Sequence, residues 1–301
     1  LAAPLFGCGA CGCTLNSDWA GQGLAALAGF RLDLRQDYFS QDQLRGGTSA
    51  RDRASLPLPN DQEVQQKTLN RNTTLTLDYT SGAAWGLSLT VPFYNRFHST
   101  YAPGDTELSS SQGTGLGDVR VLARYQGEGA AARGVQVGLK LPTGAFHDTF
   151  TTGPQAGGSL DRGLQRGSGT TDLLLGAYQF GNLGAAWGYF GSALLQVPTR
   201  SREGFRPGNG LNGSLGLRYS GLQGWTPQVQ INLRAENREA GPQADVENSG
   251  ATLTYLSPGV TAQVSPRVQA FLFVQVPVLQ RVNGLQLEPR SSVSLGLHGT
   301  F

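Results

Sequence analysis

The chain has 301 residues, 43 of them glycine, with 39% hydrophobic and 15% charged residues and a formal net charge of +2. No run approaches the ~18 consecutive apolar residues of a membrane-crossing helix, and glycine interrupts nearly every window at helical spacing. The basic residues are 21 Arg and two Lys, scattered along the chain, so there is no nucleic-acid footprint.

The first element in chain order is not a strand. "LAAP" resembles the tail of a signal peptide, and the chain contains no Met. The only cysteines, Cys8, Cys11 and Cys13, follow at once in "CGACGCTLNSDWAGQG". Their spacing is C-x-x-C-x-C, and Gly12 stands where a haem-attachment motif needs His. Four readings stay open, inert thiols being the plainest. One is a periplasmic disulfide with one thiol left over. Another is a soft-metal site for Zn or Cu(I), with His298 as a fourth ligand. The last is lipidation at Cys8, since "LFGC" resembles a lipoprotein cleavage box. Residues 1–27 are thus expected to form a periplasmic segment or plug, and residues 28–301 the body of the protein.

From residue 28 onward the chain reads at period 2. "GFRLDLRQDY" sets Phe30, Leu32 and Leu34 against Arg31, Asp33, Arg35 and Asp37; "NTTLTLDYT" sets Leu75, Leu77 and Tyr79 against Thr74, Thr76 and Asp78. "GDVRVLARY", "LNGSLGLRYS" and "PQVQINLRAENRE" repeat the pattern. About twelve strands result, near 28–40, 67–80, 85–98, 116–126, 133–145, 169–180, 185–198, 210–221, 227–238, 249–264, 267–281 and 288–301. Short turns ("SGAA", "GEGAAA", "GNLG", "GLQGW", "SP") alternate with long polar loops near 41–66, 99–115, 146–168, 199–209 and 239–248. The last connection, near 282–287, is shorter.

This alternation predicts an all-β fold, an antiparallel up-and-down transmembrane β-barrel in an outer membrane. The short turns and, with an even strand count, both termini would then be periplasmic. A soluble barrel or sandwich shares the period. Against it stand long strands, aromatics at strand ends (Tyr79, Trp85, Tyr125, Tyr178, Trp187, Tyr219, Trp225, Phe301) and a densely charged second face. The closing "SSVSLGLHGTF" keeps its alternation to the last residue because it must pair with the first strand. Val293, Leu295, Leu297 and Phe301 are expected to face lipid, and Ser292, Ser294, His298 and Thr300 the interior.

Four phrases carry a resemblance: "GTGLGDVRVLARY", "LKLPTGAF", "RGSGTTDLLLGAYQF" and "VQVPVLQRVNGLQLEPRSSVSLGLHGTF". Together they resemble the bacterial outer-membrane proteins grouped as transporters of the phenol-degradation meta-pathway type, over about residues 70–301. The matching positions are Pro142-Thr143-Gly144 with Gly167, Gly169 and Asp172, then Pro277, Gln280, Asn283 and Gly284. The resemblance implies an outer-membrane β-barrel with a transport role, and it hints at hydrophobic or aromatic solutes.

No catalytic constellation is present; His98, His147 and His298 are far apart, and there is no G-x-S-x-G or P-loop. An enzyme is not expected. The inward faces instead collect Arg31, Arg35, Arg96, Arg120, Arg124, Lys140, Arg218 and Arg234 with Asp33, Asp37, Asp78, Asp118, Asp172 and Glu236. Such charges either neutralise one another and stiffen the wall, or guide a small polar solute. A lumen between that of about eight strands, which side chains fill, and that of about sixteen, which is open, is narrow. The expected partners are outer-membrane lipid and small solutes. The competing reading is a sealed structural barrel that serves a periplasmic or envelope protein. Loops 41–66 and 146–168 are expected to be the most exposed, with 41–66 free to fold inward.

Overall fold

The computed structural model describes residues 15–19, 21–23, 28–81, 84–127 and 132–301. The strands in chain order are β1 (Gly29–Gly47), β2 (Ser49–Ala50), β3 (Val64–Thr80), β4 (Trp85–Tyr101), β5 (Ser109–Leu116), β6 (Val119–Gln126) and β7 (Ala132–Leu141). They continue as β8 (Asp172–Asn182), β9 (Trp187–Pro198), β10 (Gly210–Tyr219), β11 (Trp225–Glu236), β12 (Ala251–Ser265) and β13 (Val268–Thr300). Every pairing is antiparallel, and β13 returns to β1, which closes the sheet into a barrel. Two short strands, β2 and β5, lie off the ring of eleven.

One element of that ring makes two passes. The first half of β13 pairs with β12 (Ala251 opposite Val282), and the second half with β1 (Leu285 opposite Gly46). It folds back at Asn283-Gly284, where Gly284 takes φ 56°, a left-handed conformation that glycine adopts without a Cβ clash. The Thr300 amide donates to the Arg267 carbonyl at 2.9 Å, and Gln280 Nε2 to the Pro289 carbonyl at 2.8 Å. The eleven elements therefore give twelve passes. The Phe301 amide donates to the Phe30 carbonyl at 2.9 Å, so residues 28–30 and 301 share the rim of short turns.

Period 2 decides which face each residue takes. Leu75, Leu77, Leu295 and Leu297 stand on the outside, 41%, 41%, 51% and 48% exposed, with Val135, Val137, Leu215, Leu217, Ile231, Leu272 and Val274 around the same wall. A belt of that extent has no second layer to cover it, and lipid is the medium that makes it stable. At the short-turn rim, aromatic pairs form a girdle: Phe30 with Tyr79, Trp85 with Tyr125 and Trp187 with Tyr219, ring centroids 4.9, 4.9 and 5.0 Å apart. Tyr178 is not part of it. It is buried inside the barrel over Gly134, whose hydrogen leaves room for the ring.

Several boundaries differ from the sequence expectation. β1 runs on to Gly47 and β3 starts at Val64; β4 and β5 take in most of the expected loop 99–115. In these extensions Gln, Ser and Thr face both sides, so hydrophobic alternation is lost while the backbone ladder continues. The expected connection 282–287 is a two-residue turn within a strand. Conversely, β7 stops at Leu141 and β8 begins at Asp172, which leaves both halves of the "PTG…GSG" passage outside the strands.

The connection 142–171 is also less exposed than expected. Phe150, Leu160 and Leu164 are buried, and a short 3-10 turn at Arg162–Leu164 is capped by Asp161, whose side chain accepts from the Gly163 amide. It is this connection, rather than 41–66, that folds in over the mouth.

Candidate functional site

The barrel interior is polar and tightly paired. Near the short-turn rim, Asp78 accepts from both Arg31 and Arg124, and Arg124 also donates to Thr80 Oγ1 at 2.6 Å. One step along the wall, His298 Nδ1 lies 2.6 Å from Asp33 Oδ1. Arg35 Nε donates to Asp37 Oδ2 at 3.0 Å, and Asp37 accepts from Ser294 at 2.6 Å. Across the lumen, Arg234 donates to Glu236 at 2.6 Å.

A second network lies toward the long loops. Lys140 Nζ stands 3.0 Å from both Asp118 Oδ2 and Asp172 Oδ2. Asp118 also accepts from the amides of Gly144 and Ser168, at 3.0 and 2.9 Å, and Asp172 from Thr170 and Gln196, at 2.7 and 2.6 Å. The two halves of the "PTG…GSG…D" passage thus meet around one buried ammonium. A Cβ on Gly167 would lie 2.4 Å from the Gly144 carbonyl oxygen, so only glycine permits this approach. Arg96 fastens the same connection from above: Nε donates to Asn70 at 2.8 Å and Nη1 to the Leu164 carbonyl at 2.7 Å. Asp148 and Arg166 close it with an ion pair at 2.6 Å.

The lumen also holds residues 15–19 and 21–23. Trp19 packs against Phe271 in a tilted arrangement (5.0 Å between ring centroids) and approaches the His298 ring (6.0 Å), and Leu15, Phe271 and Phe273 complete a small apolar cluster inside the polar wall. Polar contacts fix the rest: Asn16 Nδ2 donates to Ser192 Oγ at 3.0 Å, Gln136 Nε2 to Asp18 at 2.6 Å, and Arg35 to Ser17 Oγ at 2.6 Å. Arg218 donates to the Gln22 carbonyl. Arg35 and Arg218 were expected to face inward, but Asn16, Ser17, Asp18, Trp19 and Gln22 were not singled out from the sequence. Their only signal there is a lone Trp among Gly, Ala and small polar residues.

What remains open is a cavity of about 290 Å³ between residues 15–19 and the wall. Arg31, Arg35, Arg124 and Arg234 border it with Asp33 and Asp78. Arg120 also lines it and has no hydrogen-bond or ion partner among the described residues. Of the fourteen charged residues expected inside, thirteen stand in pairs or are held by backbone and amide groups.

The remaining histidines do not join a site. His98 is buried against Thr68 at 2.8 Å, and the exposed His147 sits 2.8 Å from Glu203 at the long-loop mouth. Cys8, Cys11 and Cys13 lie outside the described residues. Among the described residues no group of three or more His, Cys, Asp or Glu is arranged to hold a metal ion, and none of their helices is long and apolar enough to cross a membrane.

No family model and no curated protein matches this chain. Solved structures do. An outer membrane channel from Pseudomonas putida F1 aligns over 91% of this chain and 96% of its own, at 14% identity and a TM-score of 0.63. The NanC porin aligns over 90% and 100% at 11% identity (TM-score 0.49), and the CymD monoaromatic hydrocarbon channel over 95% and 94% at 9% identity (TM-score 0.42). The first of these likenesses shows that the closed antiparallel barrel is a fold found in an outer membrane channel.

Proposed function

We propose that this protein is an outer-membrane β-barrel that acts as a narrow channel or transporter for small solutes. The observation that carries the reading is a polar, charge-lined cavity of about 290 Å³ inside a wall that is apolar all round on its outer face. A structural barrel has no need of a hydrated path, whereas a channel requires one. The long connections face outward, and both ends of the barrel domain lie in the periplasm. Residues 1–27 serve as a plug, of which residues 15–19 and 21–23 occupy the lower lumen.

The fold of the Pseudomonas putida channel supports the class. The "PTG…GSG…D" passage supports kinship with the phenol-degradation meta-pathway type. The cavity itself favours small polar or charged solutes, because Arg120 presents an uncommitted guanidinium to it and the neighbouring charges hydrate it.

Conductance in planar bilayers tests the reading. The full chain is expected to show small, reproducible steps, and a chain lacking residues 1–27 larger ones. Silence from both forms, once folding is established, would sink the channel reading and leave the sealed structural barrel.

A further inference from the structure

Charges are nearly absent from the outer wall, and their one concentration is local. Among the described strand residues, the outward faces of β4 to β12 carry a single charge, Arg133, at the short-turn rim. At the long-loop end, β3, β1 and both passes of β13 carry Lys67, Arg71, Arg281 and Arg290 on the outside, with only Asp42 among them.

Parity places Lys67 and Arg71 outside, and exposure beside strand bulges places Arg281 and Arg290. Arg71 and Lys67 continue the outward series of Leu75, Leu77 and Tyr79. Arg281 follows the bulge at Tyr255/Thr254, between the buried Gln280 and Val282. The Arg290 side chain is 71% exposed and reaches Asp42 Oδ1 at 3.2 Å.

The four strands also bring these residues to one level. Thr68 is opposite Gln41, Gln41 is opposite Pro289, and Gln280 Nε2 bonds to the Pro289 carbonyl. Lys67, Asp42, Arg290 and Arg281 each sit one position from that transverse row, and Arg71 lies three positions below it. At about 4.8 Å between neighbouring strands, the arc spans about 15 Å. It borders the upper edge of the apolar belt, where headgroups meet hydrocarbon.

We infer that this arc binds the phosphates of an anionic glycolipid in the outer leaflet. The inference rests on the outer-membrane reading with long connections outward. The excess of cations over the single Asp42 selects an anion. Their place beside an apolar wall selects one that carries acyl chains, because those chains cover Tyr38 and Phe93 below while the phosphates meet the guanidinium groups. Arginine suits the task because its planar donors take two phosphate oxygens at once.

The test uses the full chain, folded in detergent, with diphosphorylated lipid A as the probe and native mass spectrometry as the readout. The wild type is expected to retain lipid A. Lipid A stripped of both phosphates, and the variant carrying Lys67→Gln, Arg71→Gln, Arg281→Gln and Arg290→Gln, should each lower the bound fraction by about tenfold or more. Arg133→Gln should leave it unchanged. Equal retention of the dephosphorylated lipid would reduce the arc to ordinary hydrophobic contact. Displacement by inorganic phosphate would make it a free-anion site. Unchanged binding by the fourfold variant would also overturn the proposal. Gel mobility of unheated against heated protein confirms that each variant folds, and it reports separately on the barrel itself. Should the fourfold variant not fold, Arg71→Gln with Arg281→Gln provides the same comparison.

Discussion

Lys140 shows how much a single side chain holds at the mouth. Its ammonium is buried and lies 3.0 Å from two carboxylates, of which Asp118 anchors the amides of Gly144 and Ser168 and Asp172 accepts from Thr170 and Gln196. Removing the cation leaves two buried anions facing each other, and breaking a buried pair in this way costs about 3 kcal/mol. Lys140→Met should therefore lower the denaturant midpoint and release connection 142–171 to protease. Limited proteolysis of the folded variant checks it, and cleavage no faster than in the wild type would show that Arg96 and the Asp148–Arg166 pair suffice. The charge set of this network was legible in the sequence, since parity alone points Lys140, Asp118 and Asp172 inward. Their convergence on one ammonium was not, because it depends on neighbouring strands and a folded-in connection.

At the scale of elements, the long connections carry acids that burial pushes toward the protonated form. Glu63, immediately before β3, is pushed up to about 8 from 4.5 by desolvation, with nearby Asp245 adding to the shift. Glu239, between β11 and β12, is pushed up to about 9 by desolvation and by Asp161, Glu236 and Asp245. The folded protein thus holds these protons over a range in which the unfolded chain has lost them. Their contribution is complete below the ordinary value of 4.5 and declines as pH rises through about 8 and 9. Hydrogen exchange across 57–63 and 237–250, corrected for intrinsic rates, should be faster at about pH 9 than at about pH 6. Glu63→Gln with Glu239→Gln should flatten the difference. An unchanged pH response in that variant would place the titration elsewhere.

Strand periodicity reports only the part of an element that sits in lipid. "DLRQDYFSQDQLRGG" is one continuous strand, yet its alternation fades after Tyr38 because both faces beyond that point meet water or polar connections. The apolar partners of residues 15–19 were equally hard to see. Trp19 is buried by Phe271 and Phe273, which are more than two hundred positions away. Tyr178 misled for a related reason. An aromatic near a strand end reads as a girdle residue, and only the glycine opposite, Gly134, shows that it points inward.

For the whole molecule, the repeated antiparallel ladder from β1 round to β13 predicts a two-state response to detergent gel electrophoresis. Unheated protein should migrate apart from heated protein, since a closed barrel of this kind resists detergent unfolding at room temperature. Identical mobility before and after heating would contradict the closed ring. The class of fold was evident in the sequence because turn lengths and period repeat along the whole chain. The seam that closes it was inferred from Ser291–Phe301 alone, and the pairing bears this out: Thr300 lies opposite Arg31, Leu297 opposite Leu34 and Ser294 opposite Asp37.

That seam also sets an order of events. Every other neighbouring pair in the ring is close in sequence and can zip as a hairpin, but Arg31–Gly47 must wait for Val282–Thr300. Loop-closure entropy makes this the slowest contact to form, because nearly the entire chain lies between its two sides. Until then the molecule is an open sheet with two unsatisfied edges, the state in which sheets are most prone to join one another. The tight fold-back at Asn283-Gly284 shortens that interval. Once the first pass of β13 docks on β12, the second is already beside it, and it arrives at β1 as half of a preformed hairpin.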